Sequence, residues 1–327
     1  MKKQSIQKRT RDQHFVPQLH LKHFQGEAPK NMIWTYSKSR GIARPSRIEE
    51  TGFKKNFYSI RDESGQYQDD IDNMLTDIEN RAIRPYDRLL AGEIPTGQER
   101  ADFSTFLATS FTRSPALIRS YAEASARMKT FEIRVNANDR TRFDRMIDRM
   151  ERKTGNKIRD RKEVFEFIND PSRYKIGISE KSGLRAIGIA DSLAPMLFDR
   201  HWHIIESVTD SFITSDNPVC RWVPSDSVHP IYGDGGFANR RAEISYPLSK
   251  RRLLLLTGEP LGQSVLYAGS QAVRLQNELR AIEAEDNVFA DRKDESISAL
   301  ISRHKDRRPR SHIGAIEAND FEVDISR

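Results

Sequence analysis

Apolar residues recur at helical spacing through the middle of this chain; past Arg200 they give way to short apolar runs broken by Gly, Pro and Asp. Ile71, Leu75, Ile78 and Ala82 share one helix face, which Pro85 is expected to end or kink; Phe103, Phe106, Leu107 and Phe111 mark a second helix. Ser114-Pro115 has the form of an N-cap followed by proline at the first helical position, opening a third helix buried through Leu117, Tyr121, Ala124 and Met128. Phe143, Met146, Ile147 and Met150 follow the i, i+3, i+4, i+7 template, with Gly155 as C-cap, and 182–198 reads as a helix kinked at Pro195.

Beyond Arg200, Trp202-His203-Ile204-Ile205, Phe212-Ile213-Thr214, Ile244-Ser245-Tyr246 and Leu253-Leu254-Leu255-Leu256-Thr257 read as strands, and 266–284 returns to helix. Near the start, Met32-Ile33-Trp34-Thr35-Tyr36 and part of 53–60 have strand character. A helical block followed by strands predicts an α+β fold, largely helical. Its small mixed or antiparallel sheet is formed mainly by the C-terminal third and joined by the N-terminal strands. Residues 1–11 form a flexible basic arm in this reading, and 12–300 a single composite domain with a helical basic insertion near 131–162. Residues 301–327 are a basic segment and tail.

Charge narrows the function classes. Lys+Arg number 54 against 47 Asp+Glu, net +7, which permits nucleic-acid binding without requiring it. The basic residues concentrate at 2–11, 127–162 and 303–310. Cys220 is the sole cysteine, which excludes an internal disulfide and a Cys-cluster zinc site and fits a reducing cytoplasm. No apolar run approaches the roughly twenty residues of a membrane span, and no apolar segment follows the basic start as in a signal peptide. A cytoplasmic protein is expected, with no membrane partner. The Walker A loop, Gly-x-Gly-x-x-Gly, His-Glu-x-x-His and Gly-x-Ser-x-Gly are all missing, so the standard NTPases, dinucleotide dehydrogenases, zincins and serine hydrolases give way to other classes.

Several polar groups stand out. Thr214-Ser215-Asp216-Asn217-Pro218 sets a hydroxyl, a carboxylate and an amide at the end of a core strand, where an Asx-turn is the simpler role. His14, His20 and His23 cluster in ten residues; His20 and His23 share a helix face as structural histidines, which leaves His14 as the functional candidate. His201 and His203 flank Trp202 on one strand face. Asp72 and Glu79 lie on one side of their helix, where a hard cation or plain solvent would suit them. Arg142, Arg145 and Arg149 sit off the apolar face of their helix, interleaved with Asp144 and Asp148.

The order of certain phrases resembles a known family. His14-Phe15-Val16-Pro17-Gln18 is followed by Leu21 and Phe24, then Asn56-Phe57-Tyr58, Ile78-Glu79 and Arg113-Ser114-Pro115. Trp202, Thr214-Ser215-Asp216-Asn217-Pro218 and Tyr246-Pro247-Leu248-Ser249 complete the set. Over about 12–292 the chain resembles the bacterial family catalogued as domain of unknown function 4238. Its members open with a His-His-Tyr-Val-Pro-like phrase and a nearby Leu-x-x-Phe; Gln13 stands where the first of those histidines lies.

The resemblance selects His14, Glu79, Asp216 and Asn217 as residues expected to converge in one polar pocket. The chemistry expected there is metal-assisted phosphodiester hydrolysis of DNA or RNA. Glu79 and Asp216 would hold Mg²⁺ or Mn²⁺, His14 would activate water, and Asn217 or Ser215 would position phosphate. Arg142, Arg145 and Arg149 are the expected nucleic-acid contacts. A non-catalytic nucleic-acid-binding or protein-interaction module, and a hydrolase or transferase of small nucleotides, are the alternatives. By analogy with the family's bacterial setting, phage defence or toxin activity is the expected context.

Overall fold

Helix Gly97–Thr112 buries residues on every side, from Phe103 and Phe106 to Ser104, Thr109 and Ser110, so other elements must surround it. Its buried hydroxyls bond back into the helix: Ser104 Oγ donates to Arg100 O and Thr109 Oγ1 to Thr105 O. Helices Asp70–Ala91 and Ala190–Phe198 pack against it. Tyr86, Phe103, Phe106, Trp202 and Tyr246 meet there, mostly edge-to-face, with centroids 5.4–6.4 Å apart. The computed structural model describes residues 11–26, 29–61, 64–173, 180–230 and 233–309. The expected basic arm and the C-terminal tail fall mostly outside these.

Beside two two-stranded ribbons, sheets of five and four strands complete this unit. The larger is mixed: Val265–Ala268 pairs in parallel with His201–Ser207, and Arg252–Thr257, Glu243–Pro247 and Cys220–Trp222 follow antiparallel. The smaller is antiparallel, in the order Ile42–Arg47, Met32–Ser37, Asn287–Ala290, Thr214–Ser215. Both ends of the chain therefore share one sheet, the α+β arrangement expected from sequence. Lys38, just after Met32–Ser37, reaches the end of helix Ser270–Glu283, where its ammonium donates to the carbonyls of Ala281, Ala284 and Arg307. A buried lysine thus caps carbonyls that the helix itself leaves unpaired.

The chain divides into two compact units, the described residues of 11–118 and 184–309 forming one and those of 119–183 the other. The second begins earlier and ends later than the insertion expected near 131–162. Within it, helix Arg140–Thr154 starts at Asp139, whose side chain accepts from Arg142 N, and ends at Gly155, whose φ of 73° is the left-handed cap that glycine allows. Phe143 and Ile147 are buried, and Phe165 of helix Arg161–Ile168 meets Phe143 edge-on at 5.1 Å.

Several local expectations change. Pro85 does not end its helix, which runs on to Ala91 and a left-handed Gly92. Met150 and Met128, placed in apolar faces by spacing, are exposed. Residues 182–198 divide into a short turn of helix, a 3₁₀ stretch over Leu184–Ile189 and the helix Ala190–Phe198. The strand expected at 212–214 shrinks to Thr214–Ser215, because the N–H of Phe212 goes to Lys250 O and that of Ile213 to Asn277 Oδ1.

Candidate functional site

Strand Asp12–His14 pairs with Phe53–Lys55, and alternation turns Gln13 inward. Gln13 uses both ends of its amide: Oε1 accepts from Tyr58 N at 2.7 Å and Nε2 donates to Ser59 Oγ at 2.9 Å. Beyond His14, the N–H groups of Phe15 and Val16 both reach Gly52 O. Gly52 has φ +67°, and a Cβ there would lie 2.9 Å from Val16 Cβ, so the approach requires glycine. Pro17 then leads into the short helix Gln18–Leu21.

His14 is half-buried beside this turn. Its Nε2 lies 3.1 Å from Glu49 O, a carbonyl that can only accept, so Nε2 carries the proton and Nδ1 the lone pair. Gln18 Nε2 lies 3.3 Å from the same nitrogen; a protonated His14 Nε2 favours the opposite setting of that amide, oxygen inward. Burial lowers the His14 pKa, with Arg113 acting in the same direction; the Glu49 bond and Glu79 oppose. The imidazole is held neutral around pH 7 with an accepting nitrogen, as a general base requires.

Arg113 forms the other half. It closes helix Gly97–Thr112, is buried to 1 % exposure, and donates from Nη1 to Glu79 Oε1 at 2.7 Å. Its Nε and Nη2 have no partner among the described residues. Burial opposes the guanidinium charge, but Glu79 and Tyr58 leave its pKa raised on balance. The Tyr58 hydroxyl lies 3.5 Å from His14 O and 3.4 Å from Arg113 O, which ties the two backbones together. Asp72 lies about two turns before Glu79 on the same side of helix Asp70–Ala91; burial, Asp69 and Glu79 raise its pKa. The arrangement joins a neutral base, a carboxylate-held guanidinium and unpaired N–H groups, a combination suited to an oxyanion.

The Thr214–Pro218 phrase meets the N-terminal segment through His20 instead of His14. The Tyr86 hydroxyl donates to Leu248 O at 2.7 Å and so accepts from His20 Nδ1 at 3.0 Å. His20 Nε2 then accepts from Thr214 Oγ1 at 2.7 Å. One direction of donation runs from Thr214 through His20 and Tyr86 to Leu248, fixing a single tautomer. Burial holds His20 well below its ordinary pKa.

Asp216 is buried, with every oxygen engaged: Oδ1 accepts from Glu285 N, and Oδ2 from Asp286 N and Asn287 N, at 2.7–2.8 Å. Burial pushes its pKa up to about 6, while the Asn287 and Asp286 amides pull it down. Asn217 Nδ2 donates to Glu283 O, and Ser215 Oγ closes the turn on Asn217 N and O. Among the described residues no three His, Cys, Asp or Glu side chains group as an ion would need. His14, Glu79 and Asp216 are therefore not assembled into one metal centre: Glu79 goes to Arg113 and Asp216 to the backbone.

The remaining candidates separate. His23 stacks on Tyr86 at 4.9 Å. His203 is buried with Nδ1 donating to Gln263 O, while His201 is exposed. Cys220 is buried, and burial pushes its thiol up to about 12. Arg142, Arg145 and Arg149 are exposed on the second unit. Arg113 is the site residue that sequence reasoning passed over, although it stands in a phrase singled out as a helix junction.

A family described as "Protein of unknown function (DUF4238)" matches residues 12–294. No curated protein and no solved structure matches the chain. No helix among the described residues is long and apolar enough to cross a membrane. The match spans most of the chain, which belongs to that family.

Proposed function

We propose that this member of the DUF4238 family is a phosphodiester hydrolase whose chemistry centres on His14, Glu79 and Arg113. The observation that carries the reading is the buried Arg113, whose Nε and Nη2 find no partner among the described residues while the neutral His14 lies nearby. Unmade bonds to a buried guanidinium cost about 1–3 kcal/mol each, so a site that leaves them open favours an oxygen-rich ligand. In this reading Arg113 holds the charge of the non-bridging phosphate oxygens. His14 Nδ1 takes the proton from the attacking hydroxyl or water as the new P–O bond forms and the P–O bond to the leaving oxygen breaks; water supplies the proton to that leaving oxygen, and Glu79 fixes the guanidinium.

The test is cleavage of single- and double-stranded DNA and RNA with Mg²⁺, Mn²⁺ or EDTA. His14→Asn should slow cleavage about 10²–10⁴-fold while leaving the melting temperature nearly unchanged, since His14 is only half-buried. Loss of activity in EDTA would bring Mg²⁺ or Mn²⁺ into the reaction. Equal rates for wild type and variant would sink the assignment of His14.

A second reading is favoured by the complete burial of Arg113 and by the bond chain through His20. Here the same groups only lock the N-terminal segment in place within a non-catalytic module. Absence of cleavage by wild type, together with a lowered melting temperature for His14→Asn, selects it.

A further inference from the structure

Residues 119–183 carry a basic excess of their own: 17 Lys and Arg against 11 Asp and Glu, a net +6 over 65 residues. Such an excess points to a polyanionic partner.

Helix Arg140–Thr154 sorts that charge by face. At about 100° per residue, Arg142, Arg145, Arg149, Arg152 and Lys153 fall within an arc of about 100°. Asp144, Asp148 and Glu151 occupy a separate arc of about 60°, and Phe143 and Ile147 a third direction. The acids, although interleaved in sequence, do not neutralise the basic arc. Arg140 Nε pairs with Asp144 at 3.3 Å, and Arg161 Nη2 with Asp148 at 2.7 Å and Glu151 at 2.9 Å. Among the described residues no carboxylate pairs with Arg142, Arg145, Arg149, Arg152 or Lys153; Arg145 and Arg152 donate only to the carbonyls of Thr141 and Asp148.

We propose that this face binds the phosphate backbone of double-stranded nucleic acid without reading its sequence. From Arg142 to Lys153 the helix advances about 16 Å. One strand of a duplex advances about 3.4 Å per phosphate, so about five phosphates span the same length. The basic arc holds no aromatic side chain on which an unpaired base would stack, which favours a duplex over a single strand. The inference stands without the hydrolase reading, because it rests on another unit and other residues.

Binding of a 20-base-pair duplex of arbitrary sequence to the full chain, measured against salt concentration, tests it. Wild type should bind at low salt with a steep log–log slope, and a single strand of equal length should bind more weakly. R142Q/R145Q/R149Q should reduce the slope by about 2–3 with unchanged melting, since each lost phosphate contact removes about 0.9. His14→Asn should leave the slope as in wild type, which separates failure here from failure of the hydrolase assignment. No duplex binding at low salt, an unchanged slope in the triple variant, equal binding of the single strand, or equal competition by polyglutamate would each overturn the proposal.

Discussion

His20 shows how a single residue ties stability to pH. Its imidazole accepts from Thr214 and donates to Tyr86, which only the neutral tautomer can do. The folded pKa lies well below 6.5 because of burial, so below pH 6.5 the unfolded chain binds more protons at this position than the folded one. The stabilisation by His20 is therefore complete above pH 6.5 and is lost as pH falls through the folded pKa. His20→Leu should cost about 1–3 kcal/mol at pH 7, as two buried hydroxyls lose a partner, and the gap to wild type should narrow at pH 5. Urea midpoints at the two pH values measure this; a constant gap would mean that His20 does not titrate on unfolding. His20 was legible as a structural histidine from its place in a short helix. Its partners lie 66 and 194 residues away, and nothing local announces them.

At the scale of elements, Asp216 fastens the turn after strand Thr214–Ser215 to the start of strand Asn287–Ala290. Three amides converge on its two oxygens. Asp216→Asn keeps the volume but turns an NH₂ group toward at least one backbone N–H, so donor faces donor. The expected loss is about 1–3 kcal/mol, read as a lower melting temperature, with any binding by Arg142, Arg145 and Arg149 kept in the folded fraction. Unchanged stability would show that the turn does not depend on the charge. The phrase Thr214-Ser215-Asp216-Asn217-Pro218 drew attention to its one carboxylate, and its turn chemistry was readable. The partners at 285–287 were not, because a metal ligand and a backbone anchor share the same local signature. Arg113 was hidden for a related reason: burial of a guanidinium is a property of packed helices, and the phrase Arg113-Ser114-Pro115 by itself displays only a helix start. Element types, by contrast, followed from apolar spacing, as in helices Gly97–Thr112 and Arg140–Thr154, because the core imposes that period. Spacing failed at Met128 and Met150, whose side chains stay exposed.

Across the whole molecule, the two units differ in what holds them. The larger contains a helix buried on all sides and the five- and four-stranded sheets; the helix Arg140–Thr154 of the smaller buries chiefly Phe143 and Ile147. Amides of Arg140–Thr154 should exchange with deuterium faster than those of Gly97–Thr112, as measured by mass spectrometry of peptides. Equal protection would mean that the two units open together. The smaller sheet has a different consequence, for the order in which the protein is made. Its strand Asn287–Ala290 lies between Met32–Ser37 and Thr214–Ser215, so the last of its strands to be synthesised occupies an inner position. About 250 residues separate Ser37 from its partner Asn287, which at ribosomal speeds of ~5–20 residues per second is a wait of roughly 10–50 s. During that interval one edge of Met32–Ser37 has no native strand to pair with, and a nascent chain cut short before residue 287 keeps that edge open to any other strand it meets.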